Sequence, residues 1–344
     1  MERKFTVGIA GLRMGHAWAK AVVENQECEL VAVFDPWFEE NPLIEHDFYR
    51  SRNLAVEPDF DALLAHRPDI VIVASPDQFH TQQSVAALEA GSNVICEKPL
   101  APTLAECQEI IAAVKRTGKF FMTGQVCRYA HGFRLAKQLV DQGRIGRIAC
   151  IQSEYAHNYD FSPGYRDWRR DPEIGRENIL GGGCHAMDLL RWIAGEPEEI
   201  FCYTNHLLQP EWPKCDSGFA AIRFRSGAIG RLFVSSGVRA PYSMRTVIHG
   251  TLGTIICDNT RDFIELYEAE TARTAQKSEY MKIPVLVSSH NVNFEFREFV
   301  SHLKSGEPLP TDAVEGAKTV AFAEACLKSA RSGRPERLEI DAIG

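Results

Sequence analysis

The chain has 344 residues, a length that fits two domains. Hydrophobic residues make up 45% and charged residues 24%, the balance of an ordinary water-soluble globular protein. The net charge of −8 comes from both signs mixed along the chain with no basic block, so neither nucleic acid nor an anionic membrane surface is an expected partner. The first third alternates apolar runs with helical patterns. Phe5–Ala10 reads as a strand ending in glycine, Ala17–Val23 as a helix, and Leu30–Phe34 as a second strand ending at Asp35. Phe60–Ala65 follows as a short helix, then strand Ile70–Ala74, helix Thr81–Ala90 and strand Val94–Cys96. Thr103-Leu104-Ala105-Glu106 is a capping box that opens a helix through Val114, closed by Gly118. Phe120–Met122 is a further strand. Helices between successive strands predict a parallel sheet of βαβ units over 1–123.

From Gly124 the pattern changes. A helix over Phe133–Asp141 precedes strand-like runs at Ile148–Tyr155, Ile200–Thr204, Phe219–Phe224, Ala228–Ser235, Arg245–His249, Thr254–Cys257 and Phe263–Tyr267. Turn residues separate neighbouring runs, as in Arg225-Ser226-Gly227, which predicts a mostly antiparallel sheet over 124–344. Helices return at Asn293–Leu303 and Val314–Ala330. The sheet is expected to carry helices on one face and to offer the other to a second subunit. Helix 314–331 is expected to pack back on the first domain. The ten cysteines contain no C-x-x-C pair and sit in apolar patterns, as buried thiols do. With no export signal at the start and no run long enough to span a bilayer, a reducing cytoplasm is expected.

In parallel sheets of this kind, ligands bind at the carboxyl ends of the strands. That rule gathers Gly11–Gly15, Asp35, Ser75-Pro76 and Glu97-Lys98 at one edge. The loop Gly11-Leu12-Arg13-Met14-Gly15-His16 lies between strand and helix, where glycines let backbone N–H groups approach a pyrophosphate. Its spacing departs from G-x-G-x-x-G, with Arg13 at the middle glycine, from where its side chain could reach a phosphate. Asp35, twenty residues beyond Gly15, is placed to accept ribose hydroxyls, favouring NAD over NADP; a turn-capping aspartate is the alternative. A core strand that ends on Glu97-Lys98-Pro99 puts a lysine where it can stabilise an alkoxide, the alternative being a solvated strand-end turn. Pro99 holds Lys98 extended and can follow a cis bond.

Two later stretches carry polar chemistry. The loop His157–Arg170, which includes Tyr159, Trp168 and Arg169, is dense in aromatics and arginine and reads either as a pocket wall for a sugar ring or as a surface loop. Gly181-Gly182-Gly183-Cys184-His185 opens a helix on which His185 and Asp188 share a face. His185 reads as a general base or as a core histidine. No third ligand stands at a fixed spacing, so no metal is expected.

In Asp69–Glu106 above all, and over nearly the whole chain, the sequence resembles the Gfo/Idh/MocA oxidoreductases. Pro76 to His80, Ala90-Gly91 and Glu97-Lys98-Pro99 stand in the family order, and Leu180–Gly195 looks like the family helix with the active-site histidine. The resemblance implies α/β architecture: an N-terminal Rossmann domain, then an α+β domain with a large open sheet through which homodimers or homotetramers form. It implies NAD as cofactor, held by Gly11, Arg13, Met14, Gly15, Asp35, Ser75, Pro76, His80, Glu97 and Lys98. It adds Arg128, in the segment after the last Rossmann strand, as a pocket candidate. Lys98 and His185 match a lysine–aspartate–histidine constellation, but Gly181 stands at the aspartate position. Asp188 matches another acidic position and is a candidate for contact with a substrate hydroxyl. The expected activity is oxidation of a secondary hydroxyl of a sugar, polyol or inositol. The alternatives are an epimerase, lyase or glycosidase that recycles NAD, or a sugar- or NAD-sensing protein. Only Arg166, Arg169 and Arg170 offer a cluster for a phosphate, so an unphosphorylated substrate is expected.

Overall fold

A computed structural model describes residues 3–276, 279–287 and 290–344. The first six strands, β1 (Phe5–Ala10), β2 (Cys28–Phe34), β3 (Ala55–Glu57), β4 (Ile70–Val73), β5 (Asn93–Cys96) and β6 (Phe121–Thr123), form one parallel sheet in the order β3-β2-β1-β4-β5-β6. β4 is buried along its whole length, so its Ile-Val-Ile-Val run shows no alternation. Helices α1 (Gly15–Glu24), α2 (His46–Arg50), α3 (Phe60–Ala65), α4 (His80–Glu89) and α5 (Leu104–Thr117) lie in the connections between these strands. Thr103 caps α5: its hydroxyl accepts the Glu106 N–H at 3.3 Å and donates to the Glu106 carboxylate at 2.6 Å, in place of the reciprocal bond of a full capping box. Gly118 ends α5 at φ 64°.

The order reverses between β1 and β4, and there the carboxyl ends open a crevice. Gly11 turns the chain at φ 83°, where a Cβ would stand 2.5 Å from the Ser75 nitrogen. Only glycine lets β1 pass this close to the end of β4.

Helix α6 (His131–Asp141) leads into β7 (Ile148–Ala156), and α7 (Asn178–Gly181) and α8 (Gly183–Ala194) follow. Strands β8 (Pro197–Asn205), β9 (Ser217–Phe224), β10 (Ile229–Ser235), β11 (Ser243–Gly250), β12 (Gly253–Asp258) and β13 (Phe263–Glu268) come next. Then come α9 (Ala269–Ala275), β14 (Met281–Pro284), α10 (Val292–Ser305), α11 (Ala313–Ser332) and β15 (Glu336–Arg337). The second sheet runs β14-β13-β12-β11-β7-β10-β9-β8-β15. Its neighbours are antiparallel except β7 and β10, which are parallel. Along β9, Ala220, Ile222 and Phe224 are buried while Phe219, Ala221 and Arg223 are exposed, the alternation of a sheet covered on one face. α8 packs on β7, β10 and β11, and α11 on β8.

The chain returns to the first domain twice. α10 packs on α1, and α11 packs on α5 and β6, where a Cβ on Gly316 would meet the Thr123 hydroxyl at 2.4 Å. α11 also packs on α8 and so joins that helix to the first domain.

Candidate active site

A cleft of about 800 Å³ runs across the carboxyl ends of β1, β2, β4 and β5 and beneath the chain from 155 to 176. One end is formed by the glycine turn and Asp35. Both oxygens of Asp35 accept backbone N–H groups at 2.9 Å, one from Leu12 in the glycine turn and one from Trp37. The carboxylate at the end of β2 therefore ties the turn to the strand and faces the cleft. Gly11, Met14, Ser75, Pro76 and His80 line the same trough. Gly15 lies behind it at the start of α1, where a Cβ would meet Ile9 at 2.8 Å. Arg13 lines the trough as well, but its guanidinium donates to the Ser162 carbonyl at 2.7 Å and bridges the loop to the second domain. The side chain at the middle glycine position thus points out of the turn, and the turn keeps room for a pyrophosphate.

The other end gathers the acid–base groups. β5 delivers Glu97, which accepts the indole N–H of Trp18 in α1 at 2.9 Å. Lys98 follows, half-buried, with a cis bond to Pro99. No carboxylate among the described residues pairs with its ammonium. Opposite, His185 sits in the first turn of α8 with its ring stacked on Tyr155 (6.1 Å between centroids) and edge-on to His290 (5.3 Å). Burial, reinforced by the charges of Lys98, His290 and Arg176, holds His185 well below the usual histidine range, so its ring is neutral. His157 and Tyr242 complete this wall, with ring centroids 4.9 Å apart.

The glycine run before His185 has a steric cause at each position. A Cβ on Gly182 would lie 2.0 Å from the Tyr155 ring, and one on Gly183 2.7 Å from Val234. A Cβ on Gly181 would lie 2.3 Å from Nε of Arg176. The place of the expected aspartate is thus filled by an arginine, whose guanidinium donates to Asp77 at 2.6 Å across the domain junction. Asp77 and Arg176 both line the cleft.

The loop residues divide. Tyr159 and Trp168 line the cleft, Trp168 beneath the Arg176 guanidinium (5.3 Å). Arg169 also reaches it, but its charge is held by Asp167, whose carboxyl that contact keeps below the usual range against the effect of burial. Arg166 stacks on Trp37 at 3.9 Å and Arg170 pairs with Asp160 at 2.9 Å, so the three arginines form no common anion site.

Two expected site residues are elsewhere. Asp188 and Arg128 do not line the cleft; they form a buried pair at 2.6 Å. Glu315 of α11 joins Arg128 at 2.9 Å and Arg191 at 3.2 Å. Although the i, i+3 spacing puts Asp188 on the same side of α8 as His185, its carboxylate is drawn into the helix junction by Arg128 and Arg191. Among the described residues no three His, Cys, Asp or Glu side chains form a metal-binding group, no disulfide joins any of the cysteines, and no helix is long and apolar enough to cross a membrane.

Residues 5–125 match the model of an oxidoreductase family with an NAD-binding Rossmann fold, and residues 133–256 match the GFO/IDH/MocA C-terminal domain. The chain belongs to the Gfo/Idh/MocA oxidoreductase family. Myo-inositol 2-dehydrogenase of Thermotoga maritima is 26% identical over 349 residues, covering 98% of this chain and 99% of that protein. Inositol 2-dehydrogenase 2 of Saccharopolyspora erythraea is 29% identical over 79% of this chain and 77% of its own. Levoglucosan dehydrogenase solved with NADH superposes with a TM-score of 0.86 at 22% identity, covering 97% of this chain and 99% of the other. The chain is therefore an oxidoreductase with an NAD-binding Rossmann domain.

Proposed function

We propose that this protein oxidises a secondary hydroxyl of a sugar, polyol or inositol, with Lys98 and His185 as its catalytic residues. The observation that carries this reading is the pairing of an unneutralised ammonium with a neutral, buried imidazole across one cleft. Bound NAD supplies the hydride acceptor. His185 takes the hydroxyl proton as its ring becomes imidazolium, and Lys98 stabilises the oxygen as negative charge develops on it. The carbinol C–H electron pair leaves as hydride, so alcohol and NAD+ become ketone, NADH and a proton. Tyr155, Tyr159, Trp168 and Tyr242 offer flat apolar faces to the C–H side of a ring. Asp35 accepts the ribose hydroxyls and disfavours a 2′-phosphate by charge, which selects NAD over NADP.

The test is a screen of NAD+ reduction over inositols, aldoses, sugar acids and their phosphates, followed by Lys98→Ala. Turnover on the best substrate is expected to fall by about a hundred- to a thousandfold, in line with losing a transition-state charge stabiliser, while NADH binding followed by fluorescence stays within about twofold of wild type. Undiminished turnover would remove Lys98 from the chemistry. A substrate that is consumed without NADH accumulating would assign the site to internal NAD recycling instead.

A further inference from the structure

His80 opens α4 behind the Lys98-Pro99 turn and is 1% exposed. Its Nδ1 lies 2.8 Å from the Pro99 carbonyl oxygen and its Nε2 2.9 Å from the Ser75 carbonyl oxygen. A carbonyl oxygen only accepts, so each ring nitrogen must carry a hydrogen to make its bond. A neutral imidazole carries one and an imidazolium carries two. A neutral ring here would leave one nitrogen lone pair against a carbonyl lone pair with no water between them. The two carbonyl acceptors carry the case for the charged form, since the Asp77 carboxylate is already paired with Arg176. Cys96 at the end of β5 and Asp77 just before α4 are the polar side chains beside it. Although burial opposes the charge, these neighbours and the Pro99 carbonyl push the group up to about 10.

The two carbonyls belong to the ends of β4 and β5, the strand ends on which the acid–base site stands. We infer that His80 is a permanent imidazolium that makes bound NAD+ a stronger hydride acceptor. The oxidised nicotinamide is cationic and the reduced ring is neutral, so a fixed positive charge nearby disfavours only the oxidised form. His80 is almost wholly shielded from solvent, so its charge is little screened. The inference rests on Lys98 and His185 marking the reacting end of the trough.

Two measurements test it without reading turnover. In enzyme labelled with 15N in its histidine rings, one of the eleven histidines should keep both ring nitrogens protonated at pH 8. That signal should vanish in His80→Gln. If no wild-type histidine is doubly protonated at pH 8, the inference fails, whether or not the variant folds. Calorimetric dissociation constants for NAD+ and NADH supply the second arm. Wild type should hold NADH relatively tighter, and His80→Gln should lower the ratio of the NAD+ to the NADH constant by about tenfold, the size of one charge pair at several ångströms. A merely structural role would weaken both forms together and leave the ratio unchanged, which would overturn the inference. Should Lys98→Ala stay active while both results hold, the proposed chemistry fails and the imidazolium stands.

Discussion

His185 is kept neutral by burial first and by Lys98, His290 and Arg176 after it. Its folded-state pKa lies below the ordinary value of about 6.5, which fixes the sign of two pH effects. The base form is present at neutral pH and persists on mild acidification, so the acidic limb of kcat/KM should lie below about pH 6.5. An acidic limb at or above that value would exclude His185 as the base. Stability follows the same sign. Above about pH 6.5 the ring is neutral in both states and its contribution is complete. As the pH falls toward the depressed folded value, the unfolded chain binds the proton first and stability is lost. His185→Gln should therefore make the decline in denaturation midpoint between pH 7 and pH 5 shallower, as read by urea titration at each pH. His16 and His157 are lowered by burial as well and contribute in the same direction, so the slope should shrink without vanishing.

Helix α8 carries two kinds of polar residue, and spacing alone does not separate them. His185 faces the cleft, whereas Asp188 faces α11 and is closed in by Arg128 and Arg191. With Glu315, these four side chains bind the segment after β6, α8 and α11 into one unit. Removing one partner from a buried cluster strands the opposite charge, at a cost of about 3–5 kcal/mol. Asp188→Asn should lower the urea midpoint accordingly while leaving the KM of the folded enzyme within about twofold. A large rise in KM with unchanged stability would return Asp188 to the substrate site. This division marks how far the sequence can be read. The strands of the first sheet show in their apolar runs, and the cleft's edge follows from strand order, which is why Asp35, Ser75 and Lys98 meet along one edge. Short edge pieces leave no periodic signal: β3 has three residues and β14 four. The parallel pairing of β7 with β10 is equally silent, because it joins segments far apart in sequence. Asp77, Tyr155, Arg176, Tyr242 and His290 reach the cleft only through tertiary packing. A single local hint existed for Arg176, the glycine at 181 where a carboxylate is expected, since an empty position in a packed site must be filled from elsewhere.

Among the described residues of the whole molecule, the second sheet presents a broad face that α8 and α11 do not cover. Opposite the face buried by α8 and α11, strand register aligns Tyr203, Phe219 and Phe233 in one row across β8, β9 and β10. Tyr203 is 68% exposed, Phe219 45%, and Ile229 on the same face 58%. Phe201 packs edge-on to Tyr203 at 4.8 Å, and Arg231 lies over Phe219 at 5.1 Å. The row turns polar as it crosses to β7 and β11, where Phe233 gives way to Glu154 and Arg245. An apolar centre graded into ionic edges has the character of an interface between subunits, since a monomer rarely leaves contiguous aromatic surface in water. We propose that two copies pair through this sheet. Sedimentation should then give a species at least twice the 38.5 kDa chain mass. Tyr203→Glu with Phe219→Glu should shift it toward the single chain, because two carboxylates would replace the aromatic centre of the interface and be repelled by their copies. NADH binding should be retained in that variant, as the substituted side chains lie on the face turned away from α8 and the cleft. A wild-type protein that sediments as a single chain at micromolar concentration would show that this face serves something other than self-association.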